Sequence, residues 1–162
     1  MVETAHRYLE GQVTPDFYIC GGGSVVCDKE GRIIWDTRFD SSAMREVRDL
    51  AAEYGMPRCV AFSGPEKYPM IIKREVQPFP EDVAEYNHVS TSSKDKDFSK
   101  GFANALMEKL GDKINAQVNG LSVDVVACGV TKSTGIYEVM KVFGIAKEDV
   151  ITIGDNHNDY DM

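Results

Sequence analysis

The chain has 162 residues, 43% hydrophobic and 27% charged, which suits one domain or two small ones and excludes a disordered tail, a collagen-like fibre or a small disulfide scaffold. No apolar run is long enough to cross a membrane, and Glu3, His6, Arg7 and Glu10 interrupt the start where a signal peptide would be apolar, so a cytoplasmic location follows by default. The net charge of −8 repels nucleic-acid phosphates, so neither nucleic acid nor membrane is an expected partner, while a small anionic substrate remains open.

In chain order, Val2, Ala5 and Leu9 share a helical face over residues 2 to 10, with Gly11 as a stop. Phe17 to Cys20 is a short apolar run, followed by Gly21, Gly22 and Gly23. Ser24 to Cys27 and Arg32 to Trp35 flank Asp28-Lys29-Glu30-Gly31, a hairpin signal. Ser41 or Ser42 caps a helix bearing Met44, Val47, Leu50, Ala51 and Tyr54, which Gly55 and Pro57 end. Cys59 to Phe62 and Met70 to Ile72 read as strands, with residues 63 to 69 as loop. Pro80 opens a short helix through Tyr86, and residues 90 to 97 read as a polar surface loop.

A helix then carries Phe98, Phe102, Ala105, Leu106 and Leu110 and ends at Gly111. Ala116 to Val118 and Leu121 to Ala127 read as strands around the turn dipeptide Asn119-Gly120. Ile136, Val139, Met140 and Phe143 mark a further helix, and Val150 to Ile153 a buried strand. Cys20, Cys27, Cys59 and Cys128 are scattered beside apolar neighbours and read as reduced, mostly buried thiols. The ends read as strand–helix–strand and the middle as hairpins mixed with helices. That pattern predicts a substrate-covering unit inserted into an α/β core.

Three features carry chemistry. Asp155, Asn156, His157, Asn158, Asp159 and Asp161 crowd just past the last predicted strand, where open α/β sheets gather ligands. Crowded carboxylates there suit Mg²⁺, or equally a capped helix start. An EF-hand fails, because Tyr160 stands at the sixth loop position, and His157 has no second His or Cys nearby for zinc. Thr131-Lys132-Ser133-Thr134-Gly135 at a helix start is an anion-binding end, or a solvated lysine beside a cap. Gly21-Gly22-Gly23 permits close backbone approach, or is a plain turn.

The run "GVTKSTGIYEVMKVFGIAKEDVITIGDNHNDYDM" resembles the C-terminal motifs of the haloacid dehalogenase superfamily, in its Cof-type sugar-phosphatase-like branch. "FYICGGGSVVCDKEGRIIW" is similar to that branch's strand, turn and hairpin leading to a cap, and Asp124 falls where the branch often has Glu. The resemblance implies an incomplete Rossmann-like core with an inserted α+β cap: core over 1–37, cap over about 38–126, core again over 127–162. It implies a Mg²⁺-dependent phosphatase acting on small phosphorylated metabolites through an aspartyl-phosphate. Lys132 would be the catalytic phosphate partner, Asn158 would orient phosphate, Asp155 would bind Mg²⁺ directly, and Asp159 would support the metal.

The family's DxDxT nucleophile motif occurs nowhere in the chain, and neither Asp36-Thr37 nor Asp95-Lys96-Asp97-Phe98 replaces it. The motif following it is absent too. Ser133 stands where Gly usually follows the lysine, and Gly22 where Asn is usual. The expectation is therefore a phosphatase truncated at both ends, inactive alone, with exposed core edges that invite self-association. The alternatives are a non-catalytic phosphate- or Mg²⁺-binding regulatory module and a plain α/β interaction domain.

Overall fold

The computed structural model describes Leu9, residues 12–155 and residues 157–162. The helix expected over residues 2 to 10 lies, Leu9 apart, outside the described residues, as do Asn156 and the side chain of His157.

The hairpin expected around Asp28–Gly31 forms. β1 (Phe17–Cys20), β2 (Val25–Asp28) and β3 (Ile33–Asp36) form an antiparallel sheet in that order. The three glycines between β1 and β2 make a 3-10 turn. Tyr18, Val25 and Cys27 form a small apolar cluster here.

The chain then enters a larger unit. Its elements are β4 (Phe39–Asp40), α1 (Ser41–Glu53), β5 (Arg58–Ser63), β6 (Glu66–Ile72), β7 (Glu75–Val76) and β8 (Glu85–Tyr86). β9 (His88–Ser92), α2 (Lys96–Leu110), β10 (Ile114–Asn119) and β11 (Ser122–Ala127) complete it. Six strands make one antiparallel sheet in the order β10-β11-β9-β5-β6-β7, and β4 pairs with β8. Met44, Val47 and Ala51 of α1 and Phe102, Leu106 and Leu110 of α2 repeat at helical spacing. They bury against Cys59, Ala61, Val89, Val123 and Val125 of the sheet.

Successive strand residues face opposite ways, so the positions between those buried ones share the other face. There Gln117, Asp124 and Ser90 stand side by side in register. This polar face meets the Gly21–Gly23 turn at Val126 and His88. α3 (Lys132–Phe143) then returns to the first sheet, with the Phe143 ring tilted 38° and 4.4 Å from that of Phe17. A helical and antiparallel unit is thus inserted between two pieces that pack on each other, the α/β arrangement expected.

Several elements differ from the sequence reading. Asp40, not Ser41 or Ser42, caps α1, its Oδ1 accepting from Ala43 N at 2.8 Å. The loop expected over residues 63 to 69 shrinks to a turn, because β6 starts at Glu66 and includes Pro69. Pro69 sits opposite Val60, beside a register shift between Cys59 and Val60, where a missing N–H is tolerated. The helix expected from Pro80 to Tyr86 is instead a turn at residues 81 and 82 leading into β8, where Tyr86 is fully buried against Phe39, Tyr68 and Phe79.

The polar run at 90–92 is strand, not surface loop. Thr91 is fully buried and its hydroxyl donates to Val123 O at 3.1 Å. Cys128 is exposed rather than buried, while burial pushes Cys59 up to about 12. Residues 150–153 form no strand. Ile151 and Ile153 are about nine-tenths exposed, at 91% and 90%, and no described strand lies beside them.

Candidate active site

The start of α3 is held from three sides. Thr131 is extended, with φ −142° and ψ 177°, and its N–H donates to Thr134 Oγ1 at 3.1 Å. The cap is Thr131. Just upstream, the Val130 carbonyl accepts from Asn115 Nδ2 at 2.7 Å and Gln117 Nε2 at 3.1 Å. Gly23 presses on the far side. Its φ is +102°, and a Cβ there would overlap the Thr131 carbonyl. The three glycines are thus a close-approach turn and not merely a link between strands.

Lys132, the first residue of α3, forms an ion pair with Asp159. The Asp159 side chain is 9% exposed and that of Lys132 30%, so the pair is largely shielded. Asp159 Oδ2 also accepts from Asp155 N at 3.0 Å, which closes the loop on itself. Asp161 accepts from Ser133 Oγ at 2.9 Å. Burial works to raise the Asp161 pKa, but hydrogen bonds from Thr131 and Ser133 outweigh it and hold the carboxyl below its ordinary value. Asn158 sits in the 3-10 turn His157–Asp159, with its Oδ1 buried and without a hydrogen-bond partner among the described residues.

Of the four residues expected to act, the structure joins Lys132 directly to Asp159. It ties in Asp155 through its backbone, leaving the Asp155 residue exposed. Among the described residues no three His, Cys, Asp or Glu side chains are grouped to hold a metal ion. The donors present are nonetheless hard oxygens. An exposed Asp155 carboxylate and an orphaned Asn158 oxygen suit Mg²⁺, which is held by one or two carboxylates and completes its shell with water and phosphate oxygens.

Asp124 takes part in a second polar group. Its Oδ1 lies 3.2 Å from His88 Nε2, and its Oδ2 accepts from Asn119 Nδ2 at 3.2 Å. Burial alone would raise its pKa, yet the hydrogen bond and charge of His88, with help from Asn119 and Ser90, bring it below the ordinary value. A depressed carboxylate contributes stability above its unfolded pKa, about 4, and loses it as pH falls through the folded value. Asp124→Asn is expected to lower stability by about 1–3 kcal/mol at pH 7. It should also flatten the acid limb below about pH 4. Urea midpoints measured from pH 2 to 7 check both; parallel profiles would show that Asp124 contributes nothing.

Sequence reasoning did not find the roles of Asn115, Gln117 and Asp161. The only signal was an amide at every second position of β10, at 115, 117 and 119.

A profile of haloacid dehalogenase-like hydrolases matches residues 1–162, the whole chain. The chain belongs to that family. Its fold is accordingly a haloacid dehalogenase-like core with an inserted cap. A haloacid dehalogenase-like hydrolase from Bacteroides thetaiotaomicron shares the fold at TM-score 0.71 and 17% identity, over 99% of this chain and 66% of that one. A subclass IIB sugar phosphatase of the superfamily does so at TM-score 0.74 and 17% identity, over 95% and 63%. An uncharacterized protein of Mycoplasma capricolum is 22% identical over 97% of this chain and 66% of its own length. This haloacid dehalogenase-like chain thus spans a little under two thirds of the relatives it matches.

Proposed function

We propose that this chain carries the phosphate-handling half of a Mg²⁺-dependent phosphatase for small phosphorylated, sugar-phosphate-like metabolites, of the Cof-type branch. The carrying observation is the shielded Lys132–Asp159 pair at a helix start. The Lys132 ammonium and the Ser133 hydroxyl and amide converge there, satisfied in this structure by the carboxylates of Asp159 and Asp161; donors that hold carboxylates at a helix start are equipment for an anion. In this reading Lys132 neutralises the transferring phosphoryl group and Asn158 orients it. Asp155 holds Mg²⁺ and Asp159 supports it and aims Lys132. Bound Mg²⁺ would supply charge neutralisation at the phosphoryl oxygens. The division is core over 1–37, cap over about 38–126 and core over 127–162, with the polar sheet face of the cap over the substrate.

The nucleophile of such a phosphatase is the first aspartate of DxDxT, and the 162 residues contain no such string. The chain alone is therefore expected to release no phosphate, the full protein hydrolysing through an aspartyl-phosphate. The second reading is a non-catalytic phosphate- or Mg²⁺-binding module, which would use the same Lys132 and Asp155. Reading the gene in frame beyond Met1 separates them. A DxDxT after a strand-like run supports the phosphatase; a stop codon directly upstream with no such motif overturns it in favour of binding. In a protein bearing the motif, Lys132→Ala is expected to lower kcat for sugar phosphates by about 10²-fold or more. Unchanged turnover would make the pair merely structural.

The exposed apolar side chains of Ile151 and Ile153 are proposed to drive self-association. Changing both to Lys is expected to shift the sedimentation of the chain toward monomer. A parent that already sediments as monomer at high concentration would overturn this.

A further inference from the structure

The far end of the six-stranded sheet carries a feature that the phosphate site does not use. β5 runs from Arg58, paired with Ser92 and Ile72, to Phe62, paired with His88. His88 lies against the Gly21 turn. Arg58 is four residues further along the strand, about 13 Å away.

At Arg58 a cavity of about 440 Å³ has Arg58, Lys67 and Lys73 on its walls and Pro57, Val60 and Pro69 among its apolar lining. A second cavity of about 380 Å³ shares Pro57 and Lys73 and adds Arg74, Lys94 and Phe98. Its one acid, Asp95, is committed as the cap of α2, accepting from Asp97 N at 2.7 Å and Phe98 N at 3.0 Å.

Five cationic side chains therefore surround adjoining hollows. None of the five makes an ion pair among the described residues. Arg32, Arg38, Arg45 and Arg48 all do. Lys96, Lys109 and Lys147 also lack an ion pair among the described residues; what sets the five apart is that they gather around adjoining cavities in a chain of net charge −8.

The backbone gives an independent sign. Lys73 and Arg74 form the two-residue turn between β6 and β7 with φ of +51° and +71°. Such turns favour Asn-Gly, because a Cβ is strained in the left-handed region. Here two long cationic residues take the strained positions, and strain of this kind gathers at functional sites.

We propose that the joined cavities bind a small organic polyanion. Its phosphates, two or more, lie against Lys73, Arg74 and the flanking cations. An apolar or aromatic body rests on Pro57, Val60 and Pro69. The site is separate from Lys132 and Asp159, so it does not depend on the phosphatase reading.

The test is calorimetric titration of the full chain with ATP in EDTA, which removes divalent cations. Saturable binding is expected, weakening steeply with salt. Lys73→Asn with Arg74→Gly should lower the affinity at least tenfold. Since it installs the residues the turn favours, it should raise the thermal midpoint, so lost binding cannot be blamed on lost folding. Lys109→Ala, an exposed base of α2 that lines neither cavity, should leave affinity unchanged. No saturable binding to the parent, an equal loss with Lys109→Ala, or undiminished binding by the turn variant would each overturn the proposal.

Discussion

Gly23→Ala is expected to destabilise the packing of the three-stranded sheet on α3 by about 4 kcal/mol. Two costs combine. The φ of +102° lies where only glycine is at ease, and the added methyl would sit on the Thr131 carbonyl. That carbonyl cannot easily retreat. Val130 beside it is held by Asn115 and Gln117, and Thr131 by Thr134. Gly120 is the matched control: its φ is +61°, but nothing lies within 4 Å of a Cβ there. Gly120→Ala should cost only the backbone penalty, roughly 1–2 kcal/mol. Trp35, the only tryptophan, lies on β3 and reports the affected sheet by fluorescence during urea unfolding. Equal midpoints for the two variants would show that the Gly23–Thr131 approach relaxes without consequence.

Elements whose signal is local were legible in the sequence. Asp28 to Gly31 and Asn119-Gly120 fix hairpins by turn chemistry, and Phe102, Leu106 and Leu110 fix a helix by spacing. Elements decided by distant partners were not. Ser90, Thr91 and Ser92 look like loop because their apolar content is low. They become strand because β5 and β11 offer hydrogen bonds on both sides. Residues 150–153 show the converse: a β-branched run makes no strand where no described strand lies beside it.

The site was legible in part for the same reason. Lys132 and Asp159 stand out through motif spacing, and the structure joins them. The grip on Val130 by Asn115 and Gln117 depends on how the inserted sheet meets α3, which no local pattern encodes. The glycine triplet reads in the sequence more readily as a plain turn, and only Thr131 against Gly23 shows the close approach.

Phe102→Ala is expected to lower stability by about 3–5 kcal/mol, the range for removing a fully buried aromatic ring. Phe102 is 0% exposed and packs 5.5 Å from the Tyr54 ring at the end of α1. Tyr54 is itself edge-on to Phe98 at 5.1 Å, so the hollow is framed by two helices and a sheet that cannot all close in. Glu108→Ala, on the exposed side of the same helix, should stay within about 0.5 kcal/mol. Urea midpoints at unchanged slope measure both. The consequence should reach the phosphate site. α2 packs on β10 and β11, and β10 supplies the amides that hold Val130 ahead of Lys132. Amide exchange at Thr131 to Thr134 should therefore quicken in Phe102→Ala and not in Glu108→Ala. Unchanged exchange despite the lost stability would mean that α3 keeps its geometry without support from the inserted sheet, and that Gly23 and Thr134 alone set the position of Lys132.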